Sequence, residues 1–224
     1  MKSVILFLFS IASLSAQEKP IAVERKNTLS VFGGMGVSMV SASDVVEYIN
    51  SVSTFAQRVN DYGAAVDFFG GFEIPIDDEW GLKIEHSYLF KSYTFDGNLN
   101  GTYEFFYALQ SPSVMIQKII TGKGYFVKVG AGGGYHFGTA TQTISTFGTK
   151  TIYTTSGVGL KAEIVGQTAF GENLYGYIGG SLGYGFMGDL KDGDNKKLTA
   201  PNSAKSVSLS YFYAGLRFGM SYYL

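Results

Sequence analysis

Two histidines, two pairs of opposite charges and one acidic cluster are the residues of this 224-residue chain whose types could carry chemistry; it has no cysteine. Without thiols there is no disulfide framework and no cysteine to carry a lipid. His86 and His136 stand apart, and no serine or other nucleophile lies beside either in an arrangement that would activate it. An acid/base role for His136 with a loop serine is the one enzymatic arrangement left open. Lys83 with Glu85, and Lys161 with Glu163, are two residues apart, so each pair shares one face of a strand. Such pairs are expected to bond to neighbouring strands rather than to each other. Asp192-Gly-Asp194-Asn195 begins like a calcium loop, but the pattern breaks at Lys196 and reads as an acidic turn. Gly130-Ala-Gly-Gly-Gly134 is no dinucleotide fingerprint, because a strand period runs through it and no helix follows. Asn100-Gly-Thr102 matches a glycosylation acceptor and equally a common turn. No catalytic residue, cofactor or metal is expected.

The elements that position these residues are strands. Beyond Asn27 the dominant period is two, and it recurs in eight segments. The first alternates Leu29 to Met39, the second Val66 to Ile74, and the third Trp80 to Lys91. The fourth, Tyr103 to about Lys118, is interrupted at Ser111-Pro112-Ser113, and its register is open after Gln110. The others run from Tyr125 to Phe137, Gly157 to Ile164, Tyr175 to Phe186 and Tyr211 to Leu224. The connections run long, short, medium, short, long, short, long: residues 41–62, 75–79, 95–102, 119–124, 138–152, 168–173 and 188–205. Long and short ends therefore lie on opposite sides. Within the first long connection, Val45, Tyr48, Ile49, Val52, Phe55, Ala56 and Val59 follow helical spacing, and Asp44 with Glu47 has the form of a capping box. A short amphipathic helix is expected there, its apolar stripe packed over the mouth of the strand assembly, with the surrounding lipid layer or an external partner as alternative covers; an exposed stripe, cleaved near Gln57-Arg58, would favour the partner.

The first residues differ. Lys2, an apolar stretch from Val4 to Ala12 and the small Ser13, Ser15 and Ala16 read as a secretory signal peptide over 1–16. A segment 17–26 would follow it, and 27–224 would form one domain.

Only 16% of residues are charged, against about 25% in an ordinary soluble domain. Seventeen basic and eighteen acidic residues leave no basic footprint for nucleic acid. The alternation puts Asp67, Glu73, Lys83, Glu85, Lys91, Lys128, Lys161, Glu163 and Arg217 on the polar face with most of the glycines. A soluble barrel would show many more charges outside and little glycine. Inside a narrow eight-stranded lumen the same residues fill the space, with Phe69, Phe126, Tyr175, Tyr177, Tyr211 and Tyr213 beside them. The apolar face carries Trp80, Tyr125 and Tyr222 near the short connections, and Phe90, Tyr135, Phe137, Tyr184 and Phe186 near the long ones. These read as two aromatic girdles. The fold class expected is an all-β, eight-stranded antiparallel up-and-down transmembrane barrel.

On these residues the chain resembles the small eight-stranded outer-membrane barrels of the OmpA membrane domain and OmpX kind. The final stretch Ala214-Gly-Leu-Arg-Phe-Gly-Met-Ser-Tyr-Tyr-Leu224 is similar to the C-terminal signal such proteins present to the barrel-assembly machinery. It keeps the phase through Phe218, Met220 and Tyr222, with Leu224 where the family usually has Phe. The resemblance implies residence in a Gram-negative outer membrane among lipid and lipopolysaccharide, with the assembly machinery as a partner and a possible external partner at the outer loops. A monomer is expected. Barrel enzymes that deacylate lipid A carry His and Ser two apart beside an acid; here His86 is followed by Tyr88 and His136 by Gly138, so that match fails. The expectation is a non-enzymatic barrel with a salt-bridged lumen, acting in envelope integrity or surface interaction. The alternative is OmpW-like transport of small or hydrophobic compounds, which apolar lining above Lys83 and Lys161 would favour and a closed ionic layer would oppose.

Overall fold

The computed structural model describes residues 28–53, 58–97, 101–122, 124–144, 148–201 and 205–224. The expected signal peptide and the segment 17–26 lie outside the described residues, as do Phe55, Ala56, Gln57 and Asn100.

Eight antiparallel strands close on themselves: β1 (Ser30–Ser41), β2 (Gly63–Pro75), β3 (Trp80–Gly97), β4 (Gly101–Thr121), β5 (Tyr125–Ile144), β6 (Thr149–Ala169), β7 (Leu174–Met187) and β8 (Tyr211–Tyr223). Each strand pairs with its sequence neighbours, and β1 pairs with β8 from Ser30↔Tyr223 to Ser41↔Phe212, so no edge is left over. The pleat sends alternate residues inward and outward. Outside are apolar side chains such as Met35, Ile116, Leu160, Ile178 and Leu216, each about half exposed; inside are the polar and aromatic ones, which are buried.

The strands outrun the hydrophobic alternation at the long-connection end. The stretches 95–102 and 138–152, expected as loops, are mostly hairpin, since β3 pairs with β4 as far as Gly97↔Gly101 and β5 with β6 as far as Ile144↔Thr149. Thr139, Thr141, Thr143, Thr149 and Thr151 favour a pleat, yet are polar on both faces, so pairing continues where the apolar signal stops. The register of β4 is continuous on the β3 side. Against β5 the pairing stops at Gln110↔Phe137 and resumes, unshifted, at Ser113↔Gly134. Pro112 has no N–H to donate, and it interrupts that ladder without slipping it.

The short turns are tight. Asp77 Oδ1 accepts the backbone N–H groups of Glu79 (2.7 Å) and Trp80 (2.8 Å), fixing where β3 begins. At the other end, α1 (Ser43–Val52) follows β1 directly. The expected capping box is not formed: the N-cap is Ala42, with no side-chain cap. Asp44 and Glu47 instead accept from Lys205 Nζ at 2.8 and 3.2 Å, because the last loop brings a cation there.

The narrowness of the barrel explains its inward glycines. A Cβ on Gly34 would come within 2.1 Å of the Phe218 carbonyl oxygen, which belongs to the wall itself. A Cβ on the outward Gly33 would meet nothing nearer than 3.5 Å. Gly34→Val should therefore destabilise the barrel by roughly 1–3 kcal/mol or prevent closure, and Gly33→Val should leave folding stability nearly unchanged. Urea unfolding in detergent micelles checks the pair; equal effects at the two positions would contradict the packing described.

Candidate functional site: a charged lumen under a filled mouth

The inward positions of four strands, β2, β3, β6 and β8, bring six charges to one level. Arg217 of β8 donates to Asp67 Oδ2 from Nε and to Glu85 Oε1 from Nη1, both at 2.7 Å. Lys83 Nζ lies 2.6 Å from Glu163 Oε1 and 3.0 Å from Glu85 Oε2. Lys161 also pairs with Glu85. Gln117 donates to Glu163 at 2.7 Å and Lys83 to the Tyr177 hydroxyl at 3.2 Å. Three cations thus face three carboxylates, all buried. Lys83 and Glu85 do bond to each other as well as across the lumen, against expectation: the lumen is so narrow that Lys83 Nζ reaches its own strand neighbour and β6 together.

Aromatic side chains fill the space beside this layer. Lys83 Nζ is 4.4 Å from the centre of the Phe32 ring, and the Arg217 guanidinium carbon is 4.5 Å from that of Phe69. Phe32, Phe69 and Tyr177 pack together with ring centres 5.3–6.3 Å apart.

Toward the short turns lies a second, smaller polar group. Lys128 pairs with Glu73 and donates to the Tyr223 hydroxyl at 3.1 Å; Tyr223 donates to Gln167, and Gln167 to Ser221, both at 2.9 Å. Ser30 donates to Glu73 at 3.2 Å. The cavity at this end measures only about 20 Å³, room for about one water.

Above the six charges, the Tyr211 hydroxyl is hydrogen-bonded to His136 Nδ1 at 2.9 Å and to Ser111 Oγ at 3.2 Å. The imidazole lies over Gly159, where a Cβ would fall 1.9 Å from its Cε1. A serine and a histidine are thus brought together, but through a tyrosine, so Ser111 has no direct base. Lys91, placed inward by its parity, is buried and makes no ion pair or hydrogen bond among the described residues; its Nζ lies 4.6 Å from the Tyr93 ring centre. The other eight charges named from the sequence all form ion pairs. Gln117, Gln167, Ser111, Ser221 and Tyr223 were missed. Parity alone would have found Gln117 and Ser111 had the register of β4 been extended past Gln110.

Higher still the lining turns apolar, with Leu89, Phe105, Leu109, Ala140 and Leu209 all buried. Helix α1 fills that space with Val45, Val46, Tyr48 and Ile49. Tyr48 packs on Phe105, ring centres 5.8 Å apart, and donates to Gln142 at 3.1 Å. Burial pushes its hydroxyl pKa up to about 12, so it stays a neutral donor at physiological pH. Leu190, Leu198 and Val207 of the last loop join the same cluster. That loop is stitched to β6 by paired backbone bonds between Thr154 and Lys191 (2.8 and 3.0 Å). The Asp192 segment is the expected turn: Asp192 Oδ1 accepts from the backbone of Asp194 and Lys196, and no metal-binding cluster occurs among the described residues.

The aromatic residues named as girdles face outward. Trp80, Tyr125, Tyr135, Phe137, Tyr184, Phe186 and Tyr222 are all substantially exposed, and Phe90 packs between the outward rings of Phe68 and Phe106. Phe218, Met220 and Leu224 are outward and exposed as well.

No family model matches the sequence, and no curated protein matches it significantly. Solved structures do match. A major outer membrane protein from Thermus thermophilus superposes with TM-score 0.53 at 14% identity, covering 88% of this chain and 99% of that one. The outer membrane protein OprG from Pseudomonas aeruginosa gives 0.51 at 12% identity, covering 91% and 99%. The chain has the fold of the outer-membrane barrels. Neisserial surface protein A gives 0.50 at 11% identity, covering 88% and 97%. In an outer-membrane barrel the outward rings would stand at the two faces of a bilayer and the long-connection end would be extracellular.

Glu85 accepts from all three cations of the layer. Glu85→Gln should therefore cost about 3–5 kcal/mol, the usual penalty for stranding buried charge, and adding Lys161→Met should recover part of it. Urea titration in lipid vesicles reads both; an unaffected single variant would contradict the network. A second test concerns the last loop. Hydrogen bonds from Lys197 (2.8 Å) and Ser206 (2.9 Å) hold the Asp189 carboxyl below its usual range. That anchor is complete above the ordinary carboxylate pKa of about 4 and is lost as pH falls beneath it. Hydrogen exchange of residues 205–208, corrected for intrinsic rates, should accelerate on acidification in the natural chain and be fast at every pH in Asp189→Asn.

Proposed function

We propose that this chain is an integral outer-membrane barrel, exported through a cleaved signal peptide and delivered to the assembly machinery by the outward row Phe218, Met220, Tyr222 and Leu224. Its lumen is plugged, and its work is done by the outer loops, in envelope integrity or recognition of an external partner, without catalysis. The observation that carries this reading is the six-charge layer across the lumen with the mouth above it filled by α1. A barrel closed at two levels is a rigid mount rather than a path. The loops above it are held in place by side chains, as a recognition surface requires. The Ser111–Tyr211–His136 chain supports no reaction of its own, since a hydroxyl without a direct base is a weak nucleophile.

A second reading, transport of small hydrophobic compounds, draws on the apolar lining between the charged layer and α1. It requires α1 to leave the mouth.

Planar-bilayer recording separates the two. A plugged barrel should show no steady opening of porin size, and a stable large conductance would overturn the reading. Val45→Asp with Ile49→Asp should unseat α1. If that pair, or the natural chain, speeds uptake of a hydrophobic dye by intact cells, transport replaces the structural role; if neither does, the plugged mount stands.

A further inference from the structure

The outward face is apolar through most of its height; His86 is its mid-strand polar exception, and Gln110 lies diagonally beside it, nearer the outer rim. His86 on β3 is exposed, six residues from Trp80 and four from Phe90, which puts it roughly 15 Å into the band from the short-turn edge. Gln110 on β4 is exposed and lies between Tyr88, two residues along from His86, and Phe137 of the outer girdle, on the rim side of His86. Neither makes a hydrogen bond or ion pair among the described residues. A polar side chain held in hydrocarbon without a partner costs several kcal/mol. Other outward polar groups, such as Lys118 beside Trp80 and Ser156 bonded to Tyr135, lie at the rims and have partners.

The same patch is hollow. His86 is opposite Gly70, and Gly70 is opposite Gly33, giving two adjacent outward glycines. The barrel has no need of them: a Cβ would meet nothing closer than 3.4 Å at Gly70 or 3.5 Å at Gly33. At their inward neighbours Gly71 and Gly34 it would come within 2.0 and 2.1 Å of backbone oxygens. On the other flank of His86 stands Pro112, where the β4–β5 pairing is interrupted. Gly166 and Gly180 are also open outward glycines, but they sit among apolar side chains that acyl chains satisfy.

We propose that this β2–β3–β4 face is an interface for a second copy of the chain within the membrane, an inference that rests on the barrel being membrane-embedded. A neutral imidazole and a carboxamide each carry both a donor and an acceptor. A patch holding both is therefore self-complementary. A two-fold axis along the membrane normal presents the same face at the same depth, so His86 and Gln110 of one copy meet their counterparts. The glycines let the walls approach, and Phe68, Phe72, Ile84 and Val114 form an apolar rim. A dimer takes the place of the monomer expected from the sequence.

The absence of native cysteine makes the test direct. Ile84→Cys lies beside His86, and Leu182→Cys lies on β7 at the opposite wall. In lipid vesicles, oxidation should give at least tenfold more disulfide-linked dimer from the first than from the second. In a parallel measurement, energy transfer between labelled chains is followed while lipid is added. His86→Leu with Gln110→Leu should shift the dissociation midpoint at least tenfold toward monomer, and Gly70→Leu should do the same by filling the hollow. These substitutions add apolar groups facing lipid, so the barrel should still fold, as its heat-dependent gel mobility will report. Equal crosslinking at the two positions would overturn the proposal, as would a folded, inserted barrel that is monomeric at every lipid ratio. A chain that never enters the vesicles would sink the membrane reading first, and this inference with it.

Discussion

Glu85 takes hydrogen bonds or ion pairs from Lys83, Lys161 and Arg217, cations carried by three different strands. Taking such groups out of water costs several kcal/mol each, and only close mutual pairing offsets that. An eight-stranded barrel is just narrow enough to bring side chains from opposite walls into contact. Strand number, inward charge and closure therefore depend on one another. Once these residues point inward, the pleat sends Leu82, Ile84, Leu160, Ala162, Leu216 and Phe218 outward. The apolar exterior follows from the charged interior, and a bilayer is the environment in which both are satisfied. Glycine at Gly36 and Gly71 leaves room for the Arg217 and Phe32 side chains between the walls.

The two ends of the barrel are built on different principles. Short turns such as Asp77–Trp80 end the strands abruptly through side-chain to backbone hydrogen bonds, leaving little surface. The opposite end invests in packing. Strands run past the apolar band as threonine-rich hairpins, α1 lowers Val45 and Ile49 into the mouth, and the last loop adds Leu190 and Leu198 to the same cluster. Lys205 then ties that loop to α1 through Asp44 and Glu47. The mouth is a small hydrophobic core on top of a polar one, held from above by exposed charges that screening weakens.

Much of this was legible in the sequence because a period of two has one structural meaning. Trp80 to Lys91 gives its inward and outward residues without ambiguity, and β1, β7 and β8 nearly as well. What escaped did so for physical reasons. Pro112 breaks a ladder but not a register, and alternation alone does not separate those outcomes, so Gln117 and Ser111 went unnoticed. Threonine-rich stretches extend the pleat with little apolar signal, so β5 and β6 appeared shorter than they are. Asp44, assigned to a cap, instead accepts from Lys205, 161 residues away, a tertiary contact invisible to local pattern. Which carboxylate each lysine chooses depends on how the strands are offset around the barrel, and that offset is not written in any one strand. His86 and Gln110 follow the outward parity of their strands, but that they have no partner among the described residues is known only from the structure.

The division between a charged inside and an apolar outside is the claim beneath all of this. A nitroxide scan along β3 from Trp80 to Lys91, one position at a time in the cysteine-free chain reconstituted in lipid, tests it most directly. Collision with dissolved oxygen should be high at Leu82, Ile84, Tyr88 and Phe90 and low at Lys83, Glu85, Ser87 and Leu89, with a water-soluble relaxant excluded from both sets. Free access of that relaxant to Leu82, Ile84 and Tyr88 would contradict it, because those side chains would then face water.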